Sequence, residues 1–338
     1  MAINRLLNGT YTPSEYSPGK SRGIYHATFD DVSGEFKVLE LAAETLSPAF
    51  LVQQGDFVYS VNEREVGTVS SFRLRGDSLE FMNAKPTDGA LPCHLAVTDN
   101  WLAVANYGSG NLVMFSLNDG AIGDRIELIQ HSGSGPNRNR QTKAHAHQIC
   151  LTYDGILVPD LGSDRLYHYC VDATGSLVGE PKVVALAPGA GPRHVDRHPS
   201  LPLVYLINEL GNTIDVLDAD LLTVLQSVST LPADFEGEST TAEIEVSADG
   251  RFVFGSNRGH NSIVSFAVDG TGRLTEPQYV ATGGEHPRHF KVDPSGQWLL
   301  VANQNSNNVV VFMLENGRPT KATCEVAVPK PVCLHFCT

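Results

Sequence analysis

Seven copies of one short pattern follow one another along the chain, and this repeat restricts the possible folds more than any other feature of the sequence. Each copy has an apolar run that ends in Asn or Asp, then a short polar turn, then a second run in which apolar and polar residues alternate. We call the residues that end the apolar runs the markers: Asn8, Asn62, Asn106, Asp160, Asn208, Asn257 and Asn303. Successive markers are separated by 44 to 54 residues.

Both runs of each copy have the composition of β-strands, because they are rich in Val, Ile, Leu and aromatic residues. Most copies also have a further short strand before the marker, such as "HLAVT", "EIEVS" or "HFKVD". Turn residues such as Asp249-Gly250 separate it from the marker strand. One such unit cannot bury both of its faces, so the units must stack and close. We therefore predict an all-β fold, a seven-bladed β-propeller that forms a single domain over residues 1–338.

The two ends of the sequence indicate how the propeller closes. The first marker, Asn8, has no strand before it, whereas Val332–Phe336 resembles such a strand with no marker after it. We predict that this C-terminal segment supplies the inner strand of the blade begun by the N-terminus. Closure by pairing of the N- and C-terminal strands would remove the exposed edge that an open sheet presents.

The charge balance excludes several classes of partner. The formal net charge is −14, which disfavours nucleic acid and anionic membranes, since both require a basic surface. A small anionic ligand is still compatible if a few arginines are gathered locally. No segment reaches the roughly 18 apolar residues that span a membrane, and the first residues lack a signal-peptide core. The six cysteines show no zinc-ligand spacing, so we predict a cytoplasmic protein with free, buried thiols.

Ionisable residues concentrate where the predicted topology brings strand ends together. The inner strand of a blade starts on the same rim where the marker strand ends, so residues at both places meet at one mouth of the central channel. That set is His145, His147, Arg193, His194, Glu209, Glu243, Arg258, His260, Arg288 and His289. A single His or Arg at a strand end is usually a solvated residue. Convergence of the whole set predicts a ligand site, whereas the markers themselves are predicted to have a structural function in the turns.

The residue types in this set indicate the ligand. Arg193, Arg258 and Arg288 suit a carboxylate or a phosphate, and Glu209 and His147 are able to exchange protons with the ligand. The segment 131–143, "HSGSGPNRNRQTK", is basic and either covers the same mouth or is an ordinary exposed insertion.

At these residues the chain resembles the lactonase family, which contains propeller-type 6-phosphogluconolactonases and 3-carboxy-cis,cis-muconate cyclases. The resemblance is carried by "HAHQICLTYDG", "GPRHVDRHP", "INELGNTIDVLD" and "AEIEVSADGRFVFGSNRGHNSI", and it extends from residue 9 to about residue 312. It implies a cytosolic enzyme without metal or cofactor that acts on a lactone. In the cyclase branch the proposed catalytic His, two Arg and Glu correspond to His147, Arg193, Arg258 and Glu209 of this chain.

The leading hypothesis is hydrolysis of a lactone, above all 6-phosphogluconolactone, with Glu209 or His147 as general base and Arg193 or Arg258 stabilising the oxyanion. The residues predicted to bind substrate are His145, His194, Glu243, His260, Arg288 and His289. Two alternatives stay open: a muconate cyclase and a non-catalytic propeller that binds a partner. A metal-dependent lactonase that uses Glu209, Glu243 and Asn257 is disfavoured, because neighbouring arginines oppose a cation.

Overall fold

The computed structural model describes residues 3–13, 20–220 and 222–337, with Leu39 described by its main chain alone. Within this part of the chain there are 28 β-strands and no helix, and therefore no helix that could span a membrane. The strands form seven four-stranded sheets in which neighbouring strands are mostly consecutive in the chain. This arrangement confirms the predicted all-β class and the seven-bladed β-propeller.

The strands are numbered in chain order. Those of the first three blades are β1 (Ile3–Thr10), β2 (Gly23–Asp30), β3 (Glu35–Glu44), β4 (Pro48–Gln54), β5 (Phe57–Asn62), β6 (Thr68–Arg75), β7 (Ser78–Pro86), β8 (Pro92–Val97), β9 (Trp101–Asn106), β10 (Asn111–Asn118) and β11 (Ala121–Gln130). The fourth and fifth blades contain β12 (Cys150–Leu151), β13 (Gly155–Asp160), β14 (Arg165–Cys170), β15 (Lys182–Ala185), β16 (Pro192–Arg197), β17 (Leu203–Asn208), β18 (Thr213–Asp218) and β19 (Val224–Ser229). The remaining strands are β20 (Thr240–Val246), β21 (Phe252–Arg258), β22 (Ser262–Val268), β23 (Leu274–Ala281), β24 (Pro287–Val292), β25 (Trp298–Asn303), β26 (Asn308–Glu315), β27 (Arg318–Ala327) and β28 (Pro331–Phe336).

The first sheet joins the two ends of the chain. Its strand order is β28-β1-β2-β3, so the last strand lies beside the first. The backbone N–H of Cys337 donates to the carbonyl oxygen of Arg5 at 2.8 Å, just beyond these paired strands. The predicted closure by the C-terminal segment is confirmed.

The markers tie neighbouring blades together. The side-chain amide of Asn106 donates to the carbonyl oxygen of Thr87 at 3.0 Å. Asn257 and Asn303 donate in the same way to Thr230 at 2.8 Å and to Thr282 at 3.1 Å. Each acceptor directly follows the outermost strand of the preceding blade. These hydrogen bonds give three markers a structural function, which connects neighbouring blades rather than residues of the predicted turns.

The fourth blade differs because its marker is an aspartate. One carboxylate oxygen of Asp160 accepts the backbone N–H groups of His145, Gly162 and Ser163 at 2.8 to 3.1 Å. The other oxygen lies 3.0 Å from Nδ1 of His131, which occupies the place of the threonine in other blades. The inner strand of this blade is short. It consists of β12 and an isolated bridge at Ala146.

The described residues group into two compact units. One contains the described part of Met1–Asn8 with Ala27–Glu40 and His194–Cys337, and the other contains the described parts of Gly9–His26 and Leu41–Arg193. Each has a core of its own, formed by residues such as Tyr205, Val216, Ile244 and Phe266 in the first unit. The second is packed around residues such as Trp101, Met114, Ile156 and Tyr167. The single domain over residues 1–338 stays a prediction.

Candidate functional site

A buried ion pair between Glu209 and Arg258 is the centre of the predicted site residues in the first unit. Nη2 of Arg258 lies 2.9 Å from Oε2 of Glu209, and the two side chains are 7% and 3% exposed. Glu209 directly follows the marker at the end of β17, and Arg258 is the last residue of β21. The same Nη2 donates to the carbonyl oxygen of Thr241 at 2.6 Å, and the Thr241 N–H donates to the Glu209 carbonyl at 3.1 Å. The guanidinium is therefore fixed to both neighbouring strand ends.

This pair combines a proton acceptor with a permanent cation. A carboxylate accepts protons, whereas a guanidinium keeps its charge at any working pH and only donates. Desolvating both groups costs free energy that their attraction alone often fails to offset, so a buried pair such as this is weak evidence of a stabilising function. Groups of these two kinds at 2.9 Å are suited to removing a proton from water and to stabilising a negative oxygen.

Glu243 lies between two histidines of the same unit. Its Oε1 is 2.9 Å from Nδ1 of His194, and its Oε2 is 3.5 Å from Nε2 of His289. The backbone N–H of Leu334 donates to Nδ1 of His289 at 3.3 Å, which assigns the ring proton of neutral His289 to Nε2, facing Glu243. The carboxylate thus positions two rings that start on β16 and β24.

One of these histidines, His289, also has a structural function that sequence reasoning missed. In the second unit, His94 of β8 accepts the N–H of Ile149 through its Nδ1 at 3.4 Å, as His289 accepts that of Leu334. A histidine at this place in a blade therefore binds the inner strand of the next blade. Binding of substrate by His194, Glu243 and His289 stays a prediction.

Two further predicted residues lie in different surroundings. Arg288 is half-buried at a bulge in β24, where the pairing with β25 shifts between Pro287 and His289. The ring of His260 packs edge-on against Phe235 and Tyr279, with centroids 4.7 and 6.1 Å away. Because Tyr279 belongs to the outermost strand of the blade, the His260 ring is directed towards the outer strand.

In the second unit, Tyr107 joins the two predicted histidines. Its ring stacks on His145 at 4.5 Å and meets His147 edge-on at 5.3 Å. Nδ1 of His145 lies 2.7 Å from the Tyr107 carbonyl, which only accepts, so this nitrogen carries the proton. Burial lowers the pKa of His145 below its ordinary value, although the Tyr107 carbonyl and the charge of Asp160 oppose that shift. His145 is therefore a neutral ring at pH 7.

Tyr107 was not among the predicted residues, although its position gave a signal. It directly follows marker Asn106, as Glu209 directly follows marker Asn208. Its hydroxyl accepts a hydrogen bond from Nη2 of Arg140 at 3.1 Å. Arg140 belongs to the basic segment 131–143, so one of that segment's three cations is fixed to the Tyr107–His145–His147 group.

His147 and Arg193 are also buried, at 5% and 2% exposure. The thiol of Cys93 donates to the His147 carbonyl at 3.2 Å, and its sulfur lies 3.8 Å from Nδ1 of the same residue. A buried guanidinium such as that of Arg193 is retained in proteins only where charged or polar groups hold it.

A family model described as "Lactonase, 7-bladed beta-propeller" matches residues 5–336. The chain belongs to this lactonase family. The 6-phosphogluconolactonase of Bacillus subtilis strain 168 is 34% identical, with 95% of this chain and 96% of the relative covered. The structure is also similar to a crystal structure of a Lactobacillus plantarum protein, with a TM-score of 0.93, 33% identity and complete coverage of both chains. Another similar structure is the periplasmic gluconolactonase PpgL of Pseudomonas aeruginosa, with a TM-score of 0.91, 30% identity and coverage of 100% and 99%.

Family membership confirms that this lactonase is an enzyme of the lactone-hydrolase class and argues against the non-catalytic binding propeller. The contacts of the proposed ligand residues do not favour the metal hypothesis. Glu209 pairs with Arg258, Glu243 contacts two histidines, and the Asn257 amide donates to Thr230 and Ser262. The carboxylates of Glu209 and Glu243 are thus engaged in other contacts of this lactonase.

A further ionisable group of the first unit lies on its inner strands. Asp196 accepts the N–H of Val246 at 2.7 Å, and Glu245 accepts those of Val292 at 3.0 Å and of the Lys291 ammonium at 2.9 Å. Burial raises the pKa of Asp196 to about 6; the Val246 hydrogen bond lowers it and the charge of Glu245 adds to the rise.

This shift predicts a pH-dependent effect of Asp196→Asn. Folded Asp196 binds its proton more tightly than the unfolded chain does, so its contribution to stability is lost as the pH rises through about 6. Asparagine stays neutral at both pH values. We therefore expect the free energy of unfolding of the variant, minus that of the wild type, to be about 1 kcal/mol larger at pH 8 than at pH 5. Urea unfolding at both pH values measures this, and the exposed Asp99→Asn should show no such difference. An equal effect of Asp196→Asn at both pH values would contradict the assignment.

Proposed function

We propose that the chain hydrolyses 6-phosphogluconolactone at the channel mouth predicted from the repeat, as a cytoplasmic enzyme of the pentose phosphate pathway. The observation that carries the proposal is the buried Glu209–Arg258 pair at 2.9 Å, in a chain that belongs to the lactonase family. The proposed substrate is supported by the B. subtilis relative, which is a 6-phosphogluconolactonase.

The proposed reaction is the attack of water on the lactone carbonyl. Glu209 accepts a proton from the water as its oxygen bonds to the carbonyl carbon. The carbonyl oxygen becomes an oxyanion, and Arg258 donates a hydrogen bond to it. When the bond to the ring oxygen breaks, that oxygen takes the proton held by Glu209 and leaves as a hydroxyl group. The new carboxylic acid then releases the second proton of the water to the solvent and becomes a carboxylate. We assign His147 as the alternative base and Arg193 as the alternative oxyanion donor, on the family resemblance of their motifs.

The phosphate of the substrate is bound best by a cationic side chain whose conformation is already restricted before binding. Arg140 is half-buried, and its guanidinium donates to the Tyr107 hydroxyl at 3.1 Å, so little side-chain freedom is left to lose. We assign Arg140 to the phosphate, and Arg288 stays a predicted substrate-binding residue. The substrate-binding residues predicted from the sequence complete this assignment: His145, His194, Glu243, His260 and His289.

Arg140→Ala is expected to raise KM for the phosphorylated lactone about tenfold or more, since a charge-assisted hydrogen bond contributes about 1.5–3 kcal/mol. KM for the unphosphorylated gluconolactone should not change. Arg138→Ala is the matched control, because Arg138 is exposed on the same segment. Equal losses for both lactones, or for both variants, would remove Arg140 from the phosphate site.

The proposed function is tested by comparing three compounds with the purified chain: 6-phosphogluconolactone, gluconolactone and 3-carboxy-cis,cis-muconate. We expect the highest kcat/KM for the phosphorylated lactone. A higher kcat/KM for gluconolactone would still support lactone hydrolysis but would contradict the assignment of a phosphate site. Turnover of the muconate alone would show that the activity is that of the cyclase and not that of a lactonase.

A further inference from the structure

Three different metal-ligand atoms meet on the sheet β12–β15, away from every residue assigned above. They belong to Asp154, His168 and Cys170, and all three atoms lie within 4.8 Å of one another. Nε2 of His168 is 3.1 Å from Oδ1 of Asp154, and Sγ of Cys170 is 3.8 Å from Oδ2 of Asp154. We propose that this cluster is a binding site for a borderline transition-metal ion such as Zn²⁺.

The strand register places these side chains together. His168 and Cys170 are two residues apart on β14, so both point to the same face of the sheet. Tyr167 and Tyr169 point to the opposite face and are buried in the core of the blade. Cys170 is paired with Gly155, the first residue of β13, and Asp154 precedes that glycine in the turn.

Gly155 allows the turn to approach the second ligand strand closely. A Cβ at this position would lie 1.9 Å from the Tyr169 carbonyl oxygen and 2.9 Å from Cα of Cys170. No larger residue fits without moving the backbone, so glycine is what brings the Asp154 carboxylate within reach of Cys170. The cluster lies at the start of β13, whereas Asp160 and its His145 contact lie at the other end of that strand.

The ligand set selects the class of ion. Zn²⁺ bonds to sulfur at about 2.3 Å and to imidazole nitrogen or carboxylate oxygen at about 2.0–2.2 Å, and its sites are tetrahedral. These lengths give edges of about 3.3 Å between nitrogen and oxygen and about 3.6 Å between sulfur and oxygen. The observed separations are 3.1 Å from His168 to Oδ1 and 3.8 Å from Cys170 to Oδ2, so each of the two carboxylate oxygens lies near one of the other ligands at close to these lengths. Thiolate and imidazole ligands disfavour Ca²⁺ and Mg²⁺.

The residues around the cluster orient one of the ligands and leave a path for the metal ion. The hydroxyl of Thr152 donates to Oδ1 of Asp154 at 3.0 Å, which fixes the carboxylate as outer-shell partners of metal ligands do. The Asp154 side chain is 53% exposed and that of His168 is 19% exposed, so the ion can enter and a water molecule can take the fourth place.

The test uses Co²⁺ as a spectroscopic probe and the reduced, full-length chain. We expect one Co²⁺ per chain, with a thiolate-to-metal charge-transfer band that Zn²⁺ removes by competition. Cys170→Ser should abolish the band, and His168→Asn should weaken binding at least tenfold. Thr152→Val should weaken it by about tenfold, as the loss of an outer-shell partner does.

Cys150→Ser is the matched control, because Cys150 is a half-buried thiol on β12 of the same sheet but outside the cluster. It should keep the band and the affinity of the wild type. The far-ultraviolet spectrum and melting temperature of each metal-free variant separate loss of ligand from loss of fold. No charge-transfer band in the folded wild type, or equal losses in Cys150→Ser and Cys170→Ser, would overturn the proposal. Neither outcome depends on lactone hydrolysis.

Discussion

Glu209→Gln is expected to lower kcat for the lactone about a hundredfold or more, while the protein stays folded. A positioned general base contributes about 10²–10⁴ to the rate, and an amide cannot take a proton from water. Glutamine has nearly the shape of glutamate and keeps one oxygen for the buried guanidinium of Arg258, so the strand ends remain connected. Steady-state kinetics with thermal unfolding of the same preparation measure both parts of the prediction.

The second blade supplies a matched control for this result. Glu63 directly follows marker Asn62, as Glu209 follows Asn208, but its carboxylate accepts a hydrogen bond from the Tyr11 hydroxyl at 2.6 Å. Glu63→Gln should leave kcat within about threefold of wild type, well below the loss of a general base. The pH profile adds a readout that a structural function would not change, since Glu209→Gln should remove the acid limb of kcat/KM. Wild-type turnover in Glu209→Gln would exclude Glu209 as the base.

The largest effect on stability is expected at the exceptional marker of the fourth blade. Asp160 and His131 are 0% and 1% exposed, and Nε2 of His131 lies 2.9 Å from the Tyr169 hydroxyl. Burial raises the pKa of Tyr169, so this hydroxyl stays protonated and donates to His131. His131 therefore donates through Nδ1 to Asp160. Asp160→Asn or His131→Thr alone should cost about 3 kcal/mol of unfolding free energy, because each leaves a buried partner unsatisfied.

The double variant recreates the combination found in other blades. Asn106, Asn257 and Asn303 each face a threonine at the position of His131, so Asp160→Asn with His131→Thr restores a pairing that the fold already uses. We expect its loss of stability to be smaller than the sum of the single losses by at least about 1 kcal/mol. Urea unfolding of the four proteins gives this coupling energy. Additive losses would show that Asp160 and His131 do not act as a pair.

The repeat predicted most of the fold because the markers recur at the same place in every blade, and three of them donate the same hydrogen bond to the preceding blade. The places of Asn208, Asn257 and Asn303, and the closing strand, follow from a pattern that is local in the sequence. Asp160 breaks the pattern. Its partner is His131, 29 residues away in the chain, and no local pattern reveals that contact.

The candidate site was predicted as a set of residue types rather than as contacts. Glu209 and Arg258 are recognisable in the sequence by their charge and position, whereas Tyr107 contributes an aromatic face and carries no charge. The contact of the Glu243 carboxylate with two histidines depends on distances between three blades, which no local sequence pattern encodes. His260 was grouped by its position after a marker, although Phe235, in a segment without repeat pattern, holds its ring.

The pairing of β28 with β1 sets an order of events during synthesis. A ribosome makes β1, β2 and β3 first, yet their sheet lacks its inner strand until residues 331–336 have emerged. Each later blade is complete as soon as its own four consecutive strands are available, so these blades can form while translation continues. The blade that is begun first is thus finished after the other six, and its open edge must be kept from other chains until residues 331–336 have been made.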